Sequence, residues 1–189
     1  MHVQTHILSG WCAANLVPRF APRDRLLCML AASLADLDGL GIVFGQEVYW
    51  DYHHKLGHNL PYGVFLCAIL AAFATRRALA FAICFALYHL HLVMDYYGSG
   101  PGWGIPYLWP LSPREWRSDH AWPFYSWQNI TAFAALLLWT LWIVRRSGRT
   151  PLEAIMPRLD RQLVRVLRPG RRCARAGVTI EVSRARQTD

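Results

Sequence analysis

Three pairs of side chains stand out for the chemistry they could do: His54 with His58, His91 with Asp95, and Asp36 with Asp38. A His-x3-His or His-x3-Asp pair on a helix places two donors on one face about one turn apart, close enough to grip one cation. Imidazole combined with carboxylate favours zinc, with manganese as the alternative. Two such pairs in one small protein suggest a metal centre, and a divalent ion held this way lowers the pKa of a bound water toward about 7.

The segment HHKLGHNL at 53–60 puts His54 and His58 on one helical face and His53 on another; a capping or packing role is the alternative to ligation. In YHLHLVMDYYGSG at 88–100, His91 and Asp95 share a face, whereas His89 points roughly the opposite way. An ionisable side chain is costly in an apolar helix unless it is paired or ligating. Asp95 therefore implies either a metal or an ion pair with His91. Asp36 and Asp38, in SLADLDGLG at 33–41, would lie about 200° apart on a regular helix. Gly39 and Gly41 imply that the helix breaks there, so that the carboxylates either bridge two ions or divide into one ligand and one group orienting a histidine. His6 in THILSGW and His120 in SDHAW are single histidines, either of which could complete a coordination sphere. Asp119, Glu47 and Glu115 have no motif around them and read as exposed loop charges. Nothing matches a nucleophile elbow, a Walker loop or a Rossmann glycine pattern, and no catalytic base stands out.

Apolar elements must position these groups. The chain has 189 residues, 54% of them hydrophobic and 17% charged, which is beyond ordinary soluble composition even though the mean hydropathy is only +0.16. Four apolar stretches account for the excess, at 26–35, 60–75, 78–94 and 130–144. A hydrocarbon core about 30 Å thick needs about 20 helical residues, so the third and fourth come nearest to a full span and the first two are short. Trp50, Tyr52, Trp103, Tyr107, Trp109, Trp122, Tyr125 and Trp127 cluster just outside these stretches, where amphipathic rings favour the headgroup layer. The expected fold is an all-α polytopic membrane helical bundle with about four membrane-embedded helices and a basic C-terminal tail.

Charge is distributed unevenly. Residues 145–189 carry twelve arginines against Glu153, Asp160, Glu181 and Asp189, which is the whole net charge of +8. Under the positive-inside rule, Arg145 and Arg146 place the C-terminus in the cytoplasm, and Arg76 and Arg77 place the turn between the second and third stretches there too. Residues 39–59 and 96–128 then face the other side. The chain divides into a membrane-embedded part, 1–146, and an Arg-rich cytoplasmic tail, 147–189. In the tail, Leu152, Ile155, Leu159, Leu163, Val166 and Leu167 recur at helical spacing, which predicts an amphipathic helix on an anionic membrane surface, with disorder beyond Pro169 and Gly170. Nucleic acid is not the expected partner. The five cysteines show no CxxC spacing and read as small core residues. Residues 1–10 lack a positive n-region, so the first span is expected to insert uncleaved. The stretch GSGPGWGIPYLWPLSP at 98–113 cannot be helical, and its aromatic residues predict a packed lid or wall over the site.

Taken in order, THILSGW at 5–11, LADLDGL at 34–40, HKLGHNL at 54–60, the His-x3-Asp at 91–95 and YLWPLS at 107–112 resemble the membrane-bound metal-dependent hydrolase family, which includes LexA-regulated bacterial inner-membrane proteins. The resemblance covers about residues 1–145. It implies His6, Asp36, Asp38, His54, His58, His91 and Asp95 as the metal-binding positions. Lys55 stands where an arginine is usual, and the tail lies outside the resemblance. The implied protein sits in the bacterial inner membrane among membrane lipids and hydrolyses a phosphoester of a lipid or lipid-linked substrate with one or two zinc ions. A metal or proton transporter with a buried His/Asp cluster, and a non-catalytic membrane adaptor, are the alternatives.

Overall fold

The structure, a computed structural model, describes residues 1–168. It is helical: α1 (Val3–Ala14), α2 (Pro22–Ala31), a 3-10 segment (Leu34–Phe44), α3 (Gln46–Tyr52), α4 (Leu60–Ala72), α5 (Arg77–Gly98), α6 (Trp127–Ser147) and α7 (Pro157–Leu167). Among the described residues there is no β-strand, and an isolated antiparallel bridge joins Ile105 to Trp116. The described residues divide within α6 into two compact units, Met1–Thr140 and a second that starts at Leu141.

α5 and α6, with 22 and 21 residues, are long and apolar enough to cross a membrane. α2 and the 3-10 segment form a third candidate span, bent by 54° at the break between them. α4 is apolar but has only 13 residues, about 20 Å of helix, against a hydrocarbon core of about 30 Å. The four apolar stretches expected from the sequence therefore become two full spans, one bent pair and one short helix.

Local chemistry explains where these helices start and stop. Pro22 opens α2, and the Asp24 carboxylate accepts from Ala21 N at 3.0 Å and from Thr75 N at 2.9 Å, tying the start of α2 to the turn before α5. α2 stops where the Ser33 hydroxyl donates back to the Met29 carbonyl at 2.9 Å. The break thus falls at residues 32–33, ahead of Gly39 and Gly41, which lie inside the 3-10 run. Asn59 caps α4 by accepting from Tyr62 N at 2.9 Å.

Small residues let the helices of the first unit approach closely. A Cβ at Gly10 of α1 would come within 2.6 Å of the Cys28 carbonyl of α2. Ala31, Ala32, Ala35, Cys28, Cys67 and Cys84 fill the contact layer between α2, α4 and α5. Cys12, Cys28, Cys67 and Cys84 are free and buried, as expected for core residues. The large apolar side chains face outward: Phe65, Ile69 and Phe73 of α4, Val93 of α5 and Leu138 of α6 are exposed. The interior combines an apolar cluster that includes Leu27, Leu66 and Leu87 with buried polar groups such as His6, His58, His91 and Asp95.

In the second unit, Gly148, at φ 70, ends α6 by donating to the Val144 carbonyl at 2.9 Å. α7 begins at Pro157, later than the apolar spacing from Leu152 suggests, and is held by buried Asp160, which accepts from Thr150 N at 2.6 Å. The stretch past Pro169, expected to be disordered, and Cys173 lie outside the described residues.

Tyr88 is the keystone under the loop at 53–59. Its hydroxyl lies 2.8 Å from both the Gly57 and Asn59 carbonyls, and its ring sits where a Cβ on Gly63 would be. Gly63→Ala should therefore lower the melting temperature in detergent by the equivalent of about 1–3 kcal/mol. Phe65→Ala, on the outward face of the same helix, should change it by less than about 0.5 kcal/mol. Equal effects would show that the packing of Tyr88 is unimportant.

Candidate metal centre

α5 supplies the rigid half of the site. His91 and Asp95 lie one turn apart on it, with His91 Nε2 3.1 Å from Asp95 Oδ2, as the helical spacing predicts. His91 Nδ1 donates to the Ala32 carbonyl at 2.9 Å, which turns Nε2 toward the cluster. That carbonyl is open to His91 because α2 ends at Ala31.

His54 and His58 converge by another route than the one expected. Residues 53–59 form turns and bends between α3 and α4, so no helical face joins the two histidines. His54 takes a left-handed conformation, φ 67, and its ring stacks on His58 with centroids 4.2 Å apart. A Cβ on Gly57 would run into the Ala35 carbonyl, so only glycine lets this loop lie against the 3-10 segment. His58 Nε2 reaches Asp95 Oδ2 at 3.2 Å and His91 Nε2 at 3.1 Å.

The two aspartates divide. Asp36 faces the cluster, its Oδ1 3.6 Å from His91 Nε2 and 3.8 Å from His58 Nε2. Asp38 stands behind it and accepts from His58 Nδ1 at 3.0 Å, Gly57 N at 3.0 Å and His53 Nδ1 at 2.8 Å. This carboxylate orients imidazoles rather than entering the centre. From α1, buried His6 brings Nε2 to 3.2 Å from Asp95 Oδ1, which also pairs with the amino group of Met1.

Two groups of ligand-type atoms converge within 4.8 Å: His6, Asp36, His91 and Asp95, and His54, His58 and Asp95. Asp95 belongs to both. Of the seven positions implied by the resemblance, six fall in these groups, and Asp38 is the exception. His120, Asp119, Glu47 and Glu115 are exposed and apart from the cluster. His89 is also apart, bonded to the Phe85 carbonyl and the Tyr107 hydroxyl at 2.8 Å each.

A cavity of about 430 Å³ opens over the cluster, lined among others by Asp36, His53, His54, Asp95, Trp50 and Trp103. Trp103, from the glycine-rich stretch, stacks on Trp50 of α3 at 4.8 Å and forms a wall, as its aromatic content predicts. His53 is the residue that sequence reasoning assigned to another face. The His53–His54 doublet was the available signal, but a helical template sends it away from the site, whereas the turn brings it in.

Burial pushes His58 down, but hydrogen bonds and charge from Asp38 and Asp95 override it and raise its pKa to about 9. Burial, reinforced by the His58 charge, pushes His54 well below the usual histidine value. The fit of these residues to a cation follows from this. Three buried atoms of the cluster, His6 Nδ1, His54 Nδ1 and Asp36 Oδ2, have no hydrogen-bond partner, and a proton on His58 answers the carboxylates where a cation could.

Such a fold and site define a class: a helical membrane protein whose apolar helices enclose a His/Asp cluster suited to a divalent ion. The chain belongs to the YdjM inner membrane protein family, whose model matches residues 1–158. No curated protein and no solved structure matches it. The family places the chain in the bacterial inner membrane, in contact with lipid, and its description names a location without an activity.

The folded pKa of His58 lies above its unfolded value of 6.5, so its contribution to the metal-free fold is complete below 6.5 and is lost as the pH rises through about 9. A cation taken up by His58 Nε2 would have to displace that proton. If zinc is that cation, its affinity should rise roughly tenfold per pH unit between pH 6.5 and 8.5 from this group, with a proton released on binding. A pH-indicator titration reads the release, and a pH-independent affinity would contradict it.

Proposed function

We propose that this inner-membrane protein is a metal-dependent hydrolase acting on a phosphoester of a lipid or lipid-linked substrate. The convergence of buried imidazole and carboxylate atoms within 4.8 Å in two groups sharing Asp95 is the observation that carries this reading. The donor set suits zinc, with manganese as the alternative. When bound, the ion would supply Lewis acidity and an activated water.

The chain's own residues do the rest. The Ala32 carbonyl and Asp38 hold His91 and His58 by Nδ1, leaving both Nε2 atoms forward. Asp95 presents one oxygen toward His6 and the other toward His58 and His91, so it can serve both groups. Trp50 and Trp103 limit access to a cavity of a size that takes a polar head group. Leu37, Leu40, Val43 and Phe44 of the 3-10 segment are exposed, which suits a substrate whose apolar tail stays in the bilayer. On α5, Arg76 and Arg77 lie at one end and Asp95 near the other, so a cytoplasmic Arg pair puts the site toward the extracytoplasmic face.

Elemental analysis of detergent-purified protein tests this first. Stoichiometric zinc or manganese is expected in the wild type and absent from a His58→Ala, Asp95→Ala variant of unchanged elution volume. Metal-loaded protein should then hydrolyse a short-chain phosphoester, with kcat falling at least about 100-fold in Asp36→Asn. No bound metal after reconstitution would end the hydrolase reading. Metal flux into liposomes without turnover would favour a transporter, and full tolerance of alanine in the cluster an adaptor.

The tail's partner is proposed to be anionic lipid. On α7 and the turn before it, Ile155, Leu159, Leu163 and Val166 form an exposed apolar stripe beside Arg158, Arg161 and Arg165. In proteoliposomes containing anionic lipid, trypsin cleavage after Arg161 and Arg165 should slow several-fold relative to zwitterionic vesicles, and Leu159→Glu with Leu163→Glu should abolish the protection. Equal cleavage in both vesicle types would count against the surface-bound helix.

A further inference from the structure

A second cleft adjoins the metal cavity. It measures about 410 Å³ and shares Trp50, His53 and Trp103 with the cavity, so the stacked tryptophans border both spaces. Its charge is of the opposite kind. The metal cavity presents Asp36 and Asp95, whereas the cleft presents Lys55 and Arg117 against a single carboxylate, Glu115.

The cleft is a built feature. Ile105 and Trp116 exchange backbone hydrogen bonds at 2.9 and 3.0 Å, which lays residue 104 against the side chains of Glu115 and Arg117. A Cβ on Gly104 would come within 2.9 Å of Glu115 Cβ, so this close approach favours a glycine. One Glu115 oxygen takes Arg117 Nη2 at 2.7 Å and Nε at 3.2 Å, fixing the guanidinium in the plane of that contact. Lys55 is half-buried between this cleft and a neighbouring one, and its ammonium makes no hydrogen bond or ion pair among the described residues. A half-buried cation without a partner, next to a site suited to phosphoester hydrolysis, is complementary to an anion carried on the same substrate.

We infer that this cleft binds a second anionic phosphate of the substrate, held by Lys55 and Arg117 while the scissile phosphate lies over the His/Asp cluster. The inference rests on the hydrolase reading and narrows it: the substrate class becomes lipids bearing two adjacent phosphates, a diphosphate above all. A monophosphate ester would leave Lys55 unpaired.

The test uses full-length, detergent-purified, chelator-treated protein titrated with inorganic pyrophosphate and with inorganic phosphate by calorimetry. Pyrophosphate should bind more tightly than phosphate. Lys55→Met should weaken it about tenfold, with Arg117→Gln acting in the same direction. Zinc stoichiometry, measured on portions of the same preparations reloaded with zinc, should be unchanged by either substitution and also reports that the variants are folded. Competition by a short-chain lipid diphosphate supports a lipid-borne anion, and failure to compete overturns that part of the inference. Pyrophosphate affinity equal in wild type and Lys55→Met, or absent in wild type at millimolar concentration, overturns the site. If zinc still binds in that case, the metal centre stands and the cleft alone is rejected; if zinc does not bind, the hydrolase reading falls first.

Discussion

The first unit is organised around the Asp95 carboxyl group, which is nearly sealed from solvent inside a helical bundle. A buried carboxylate is tolerable only if positive charge or hydrogen-bond donors surround it. The protein answers with imidazoles from three separate parts of the chain, His6 from α1, His58 from the loop before α4 and His91 from α5. Holding these rings around one carboxylate dictates where the helices sit. The cost of this arrangement is the reason to expect that it serves a cation.

The backbone departs from regular helix at the points where the cluster needs it to. Ending α2 at Ala31 frees the Ala32 carbonyl for His91 and turns the following residues into a 3-10 run that directs Asp36 inward and Asp38 behind His58. The left-handed His54 and the tight contact at Gly57 fold the next loop over the same point. Each deviation is anchored by a specific contact. Tyr88 beneath the loop and Ser33 at the helix break are the clearest, so the centre is supported by residues that touch no ligand atom.

Outside this interior, the helical surface is rich in exposed apolar side chains. Large apolar side chains face outward along α4, α5 and α6, and small residues mediate contact between helices. Within this surround, the cavity over the cluster is bordered by Trp50 and Trp103 and lies near the end of α5 that carries Asp95. The acidic cavity and the basic cleft adjoin along the stacked Trp50 and Trp103.

Helical class and membrane character were legible in the sequence, because hydropathy and aromatic placement are properties of composition and local order, whereas His6 was singled out only through the family resemblance. The His91–Asp95 pair was legible too, since an i,i+4 spacing on a long helix determines a shared face without help from the rest of the chain. His54 and His58 have the same spacing, but they converge through a turn, and local periodicity carries no information about turns stabilised by distant contacts. The separate parts of Asp36 and Asp38 were decided only by tertiary structure, through a helix break whose freed carbonyl is used by a residue 59 positions away. His53, Trp103 and the Lys55 cleft belong to the same class, because their roles depend on which loops meet in space. Spacing specifies a site within one helix; convergence between elements is set by the packing that brings them together.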